Sequence, residues 1–248
     1  MLTIRRPDNA RLAIAALIFI NVGVLVIYVV VLNLATRLLR ARQPRIGWHP
    51  MLAKCITANY VFMVIFILLV IAFTILSFYT RNPTLLQASL WIQRTGILYF
   101  LIFNLIAPTL YFLAVLLPRS HEAEQFGTGS MSAKITILGI IIFFNLWISG
   151  FRMGTSWTSA RPLTDPAWFD TRAAFYIIEL GFEIIITYLM LITRFDKRFW
   201  VPNGSKKHGD YSRISPNDAE HRKMKVAELD EATDASSEKS NKTDPEVV

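Results

Sequence analysis

The sequence predicts an all-α protein: a polytopic transmembrane bundle of five helices followed by a disordered C-terminal tail. Three observations lead there. The 248 residues are 53% hydrophobic with a mean hydropathy of +0.40, too apolar for an ordinary soluble domain. Charge is absent from long segments and gathers in the joints and the last fifth of the chain. Five apolar stretches approach or exceed the roughly 20 residues that a helix needs to cross a bilayer core of about 30 Å.

The predicted spans are 12–35, 58–79, 96–117, 135–151 and 173–193. Leu12–Ala35 is an uncharged run after a short basic segment, Met1–Arg11. A cleaved signal peptide is the rival reading, but its apolar core should hold only about 7–15 residues, so a retained span is expected. A basic joint follows, holding Arg37, Arg40, Arg42, Arg45 and Lys54, and Pro44 and Gly47 break the helix there. The second span, Ala58–Tyr79, ends at Arg81 and Pro83, and Leu85–Trp91 reads as a short interfacial turn. The third, Gly96–Leu117, contains Asn104 and Pro108, and the proline is expected to kink it. The fourth, Ile135–Phe151, is short unless Met131–Lys134 extends it; it carries Asn145, Trp147 and Ser149 and ends at Arg152.

The fifth span, Ala173–Thr193, carries Glu179 and Glu183 near its middle. On an α-helix the two lie one turn apart on one face, in line with Arg172, Tyr176 and Thr187. An ionisable residue at a span's centre costs about 2.5–3.5 kcal/mol, so the pair costs about 5–7. Roughly ten large apolar residues at about 0.3–0.6 kcal/mol each return only about 3–6. Such a helix is marginal alone and needs neighbours, protonation or water on its Glu face. From Arg194 the chain is soluble in character. Arg194–Pro216 is rich in bases, whereas Asn217–Val248 is acidic and of low complexity, with a short helix allowed at Asp218–Ala232.

The expected organisation is therefore a short extracytosolic segment 1–11, a membrane domain 12–195 and a cytosolic tail 196–248. Orientation follows from the bases. With five spans, eight bases beginning with Arg5 share the N-terminal side; twelve near the spans, led by the dense first joint, share the other. The N-terminus is thus expected outside and the tail in the cytosol, with the plasma membrane favoured. The sequons at Asn203 and Asn241 would then face the cytosol.

Several stretches carry a resemblance: Arg5–Phe19, Asn33 with Arg37 and Arg40, Pro44–His49, Phe151–Gly154, Pro166–Tyr176, and the tail signature Arg198–Ser205 with Gly209–Ser212. Together they resemble a fungal family of multi-pass membrane proteins catalogued as a domain of unknown function. The resemblance implies a seven-span plan with a cytosolic tail, and this chain begins at the motif preceding the family's third span. A genuinely short form and a truncated, non-functional one are both compatible with that start. No activity comes with the resemblance.

Glu179, Glu183, Asn145, Asn104 and Tyr176 form the candidate intramembrane polar site. Its functional reading is a proton- or cation-linked site or a counter-charge for a basic ligand. Its structural reading is pairing of the acids with Asn145, Asn104 or a span-end arginine. An amide in each of the first four spans is explained by interhelical hydrogen bonds worth about 0.6 kcal/mol each. Arg152 and Arg172 bracket the aromatic joint before the fifth span and either bind headgroups or snorkel to the interface. Arg37, Arg40 and Arg198 are expected to meet anionic headgroups of the inner leaflet, at about 1 kcal/mol per base.

A net charge of +8 is carried beside hydrophobic spans, which points to lipid and not to nucleic acid. The lone Cys55 excludes an internal disulfide and argues against a cysteine metal site. No phosphate loop, metal-spaced His/Cys cluster or nucleophile elbow occurs, so neither an enzyme nor a cofactor is expected. The expected function is a membrane protein that binds or moves a small or lipid-like molecule along the Glu pair. The alternative is a receptor-like or scaffolding protein acting through its tail.

Overall fold

The computed structural model describes residues 10–158, 167–202, 204, 205, 207 and 209–212; the side chains of residues 10–13, 17, 170, 172 and 212 are outside this set. The expected extracytosolic segment before residue 10 and the tail helix at Asp218–Ala232 also lie outside the described residues. Helix α1 spans Ala10–Arg42, α2 Pro44–Gly47, α3 Pro50–Tyr79, α4 Pro83–Leu116 and α5 Met131–Trp157. A short 3-10 turn at Trp168–Asp170 leads into a last continuous helix. It runs from α6 (Arg172–Ala174) through a π-helical section, Phe175–Gly181, into α7 (Phe182–Ile192). Helix α8 is a single turn, Phe195–Arg198. No strand occurs among the described residues.

Five of these helices are long and apolar enough to cross a membrane. The most apolar window of α3 has a mean hydropathy of 3.1, yet only 6% of it is buried. A helix that is apolar all round and not covered by protein is stable only when lipid covers it.

Capping explains several of the boundaries. His49 closes the start of α3, its Nδ1 accepting from the Met51 N–H at 3.2 Å, with Pro50 at the first helical position. Asn82 does the same for α4, accepting from the Thr84 N–H at 3.0 Å ahead of Pro83. Pro83 thus opens α4, and Leu85–Trp91 is part of that helix and not a separate interfacial turn. Ser130 caps α5, which takes in Met131–Lys134 and continues past Arg152 to Trp157. At 34 residues, α4 is roughly 51 Å long at about 1.5 Å per residue and overshoots the hydrocarbon core.

Helix α4 is the hub, packing against α1, α3 and α5. The Tyr99 hydroxyl donates to α3 at the Asn59 carbonyl (2.9 Å) while the Tyr99 ring stacks on Phe66 at 4.3 Å. The Tyr111 hydroxyl donates to α5 at the Ile135 carbonyl, 3.2 Å away. Small residues allow the close approach: a Cβ on Gly139 would stand 2.6 Å from the Tyr111 hydroxyl, and one on Gly96 would collide with a Val70 methyl. The π and α7 segments pack against α5.

The joints are tied differently at the two ends of the bundle. At one end Gln43 donates to the Pro118 carbonyl (2.6 Å) and the Glu124 N–H to the Ala41 carbonyl (2.9 Å). There the Thr128 N–H donates to the Lys197 carbonyl (3.1 Å), while Lys134 donates to the Phe126 carbonyl. Phe199 is buried against Phe126. The compact unit that holds the bundle runs to Trp200 and includes α8. The other end is aromatic: Trp91 meets Trp157 edge-on at 6.4 Å, and Trp168 lies 6.3 Å from Phe151. In the second unit, Asp210–Ser212 forms a 3-10 turn, with the Lys207 N–H donating to Asp210 at 2.9 Å.

Replacing Gly96 by Val forces α3 and α4 apart and is expected to cost about 1–3 kcal/mol. Gly150→Ala, where nothing stands within 4 Å of the new methyl, is expected to leave thermal unfolding in detergent unchanged. Equal midpoints for the two variants would refute the close α3–α4 packing.

Candidate functional site

Among the described residues, two polar groups and a cavity stand out inside the bundle. The first group joins α4 to α5. Asn104 Nδ2 donates to the Asn145 carbonyl at 3.2 Å and to Ser149 Oγ at 2.9 Å, and Asn145 Nδ2 donates to Asn104 Oδ1 at 2.6 Å. Both amides are 1% exposed. Pro108 lies four residues after Asn104 and has no N–H, so it leaves the Asn104 carbonyl without its helical donor. The proline loosens the backbone where the side-chain network crosses to α5. Ser149 lines the same cavity as Tyr28 of α1. Tyr28 is buried and is a site residue that the sequence reading passed over. Only its place near the middle of the first span could have marked it.

The second group joins α5 to the last helix and to α1. Arg152 Nη2 lies 3.2 Å from Glu179 Oε2, with the two side chains 16% and 12% exposed. Arg152 Nη1 donates to Asn21 Oδ1 on α1 at 3.1 Å. Glu179 sits in the π-helical section, where the widened turn departs from α spacing. Glu183, on the first turn of α7, is within electrostatic reach of Arg152, Glu179 and Tyr28. Its Oε1 is buried and, like Arg152 Nε, has no hydrogen-bond partner among the described residues.

Several expected site residues take other positions. Tyr176 is 56% exposed, and it lies in the π-helical section, which departs from the α spacing that would align it with the acids. Thr187 is exposed too, its hydroxyl turned back to the Glu183 carbonyl at 2.8 Å. Asn104 and Asn145 pair with each other. Arg152 pairs with Glu179 inside the bundle. The Arg172 side chain lies outside the described residues. At the basic end, Arg37 donates to the Phe199 carbonyl (2.8 Å) and Arg198 to the Thr193 carbonyl (2.7 Å). Arg40 donates to the Gly47 carbonyl (3.2 Å), its guanidinium 4.8 Å from the Trp48 ring. These three bases fasten the joint, capping carbonyls that helix ends leave open.

The cavity, about 200 Å³ and open on one side, lies among α1, α3, α4 and α5. Its wall is mainly apolar, with Ile18, Val22, Ile71 and Ile97 prominent. Asn21, Tyr28, Ser149 and Arg152 bring polar groups to it, as do Thr74 and Gln93. Neither Glu179 nor Glu183 lines it; the acids reach it only through Arg152. No group of His, Cys, Asp and Glu able to hold a metal ion occurs among the described residues.

Removing one partner of the ion pair leaves the other charged and buried, or forces a proton onto it. Arg152→Gln is therefore expected to destabilise by about 3–5 kcal/mol, and adding Glu179→Gln should recover most of that loss. Thermal unfolding of the two single variants and the double variant measures this. Strict additivity would dismiss the pair. Asn104→Ala and Asn145→Ala are expected to couple by about 0.6–1.7 kcal/mol in the same kind of cycle.

None of the protein-family models, curated proteins or solved structures compared with the chain matches it.

Proposed function

We propose that the protein is an integral membrane protein that binds a small amphiphilic, lipid-like molecule in the cavity among α1, α3, α4 and α5. One observation carries this reading. The cavity combines an aliphatic wall with a polar side formed by Arg152, Asn21, Tyr28 and Ser149. A hydrocarbon chain suits the wall, and a polar head suits the side that Arg152, Asn21, Tyr28 and Ser149 line. The arginine is already held by Glu179 and Asn21, so the donor is pre-oriented and little ordering remains for binding to impose. In the same reading the basic end of the bundle faces the cytosol, the aromatic end faces outside, and anionic headgroups neutralise the remaining exposed bases. The plasma membrane is the favoured location.

Val22→Trp fills the cavity from α1 without touching the ion pair. A fluorescent twelve-carbon fatty acid is expected to quench on the wild-type protein in nanodiscs and to bind at least tenfold more weakly to this variant at equal thermal stability. Undiminished binding would rule the cavity out. Asn203 and Asn241 should stay unglycosylated in a eukaryotic host, whereas a sequon inserted between residues 80 and 82 should be modified. The opposite pattern would invert the topology.

A further inference from the structure

Among the described residues, the charged cluster holds two carboxyl groups and one guanidinium, and the guanidinium is already engaged. Nη2 of Arg152 is taken by Glu179 at 3.2 Å and Nη1 by Asn21 at 3.1 Å. Glu183 is left with a buried oxygen that has no donor among the described residues. Its electrostatic neighbours are Arg152 from α5, Glu179 from the π section and Tyr28 from α1. Of these only Arg152 is a cation, and Tyr28 is neutral.

With both acids ionised, the cluster carries one uncompensated negative charge in a medium that solvates it poorly. An isolated buried carboxylate is costly enough that such groups neutralise instead. One proton balances the cluster at zero charge. It belongs on the carboxyl that lacks the ion pair, because a carboxylate facing a guanidinium is held in its charged form while its unpaired neighbour is not.

We propose that Glu183 is a proton-binding site, occupied at neutral pH, and that Arg152 decides which of the two carboxyls holds the proton. The π-helical section puts Glu179 on the arginine in the arrangement observed. None of this depends on the cavity holding a ligand.

Infrared spectroscopy of the full-length protein in a maltoside micelle, which contributes no carbonyl, reads the site directly. At neutral pH the wild type is expected to show a protonated-carboxyl C=O band that shifts in deuterium oxide. Glu183→Gln should remove the band and keep the thermal stability, since glutamine resembles the neutral acid. Glu179→Gln should also remove it, because Arg152 is then free to pair with Glu183. No band in the wild type, or one that survives Glu183→Gln, would overturn the proton site. A band that survives Glu179→Gln would overturn the role given to Arg152. Unfolding of Glu183→Gln would count against the proposal as well, since it would mean that the native structure needs the charged form.

Discussion

A guanidinium and a carboxylate 3.2 Å apart inside the bundle fix how the last helix sits. In lipid, a charged side chain has neither water nor a headgroup to turn to, so it stays inside only beside an opposite charge. Arg152 therefore ties α5 to the π section through Glu179 and, through Asn21, ties both to α1. The apolar surfaces cannot do this, because lipid tails compete with them on equal terms. Position along the last helix is set by that one pair, and its apolar residues adapt around it.

The same rule explains the polar chain at the bundle's centre. Asn104, Asn145, Ser149 and Tyr28 are buried on three different helices, and Asn104 hydrogen-bonds to both Asn145 and Ser149. One acceptor of the network, Asn145 Oδ1, is buried with no donor among the described residues. Pro108 contributes from the backbone side by freeing a carbonyl beside Asn104. The basic end follows the same logic. Arg37, Arg40, Arg198 and Lys134 are spent largely on carbonyls and rings that the joints leave open. A count of bases near a membrane thus overstates how many remain for lipid.

The functional reading gains its form from the contrast between these groups and the cavity beside them. Arg152 belongs to both: it is held by Glu179 and Asn21 and also lines the cavity. A ligand received there meets a fixed donor. The acids stay behind the arginine, where they set its charge balance without touching the cavity. This is why the carboxylates, the most conspicuous feature of the last span, do not themselves form the cavity wall.

Residue order alone determined the class of the molecule. Uncharged runs with charged joints leave a bilayer as the one solvent that suits all of them, and the five spans sit where hydropathy places them. The unsatisfied cost of Glu179 and Glu183 was also legible, as was the need for a partner. Which partner was not: Arg152 lies 27 residues before Glu179, and no periodicity links positions on different helices. The π turn that carries Glu179 and Tyr176 has no signature in the residues that form it. Asn82-Pro83 could be read either as the end of one helix or as the cap of the next, and only the Thr84 hydrogen bond decides between them. The cavity, Tyr28 and the unpartnered Glu183 oxygen are properties of helix packing. They come from side chains meeting across interfaces, which a linear pattern does not specify.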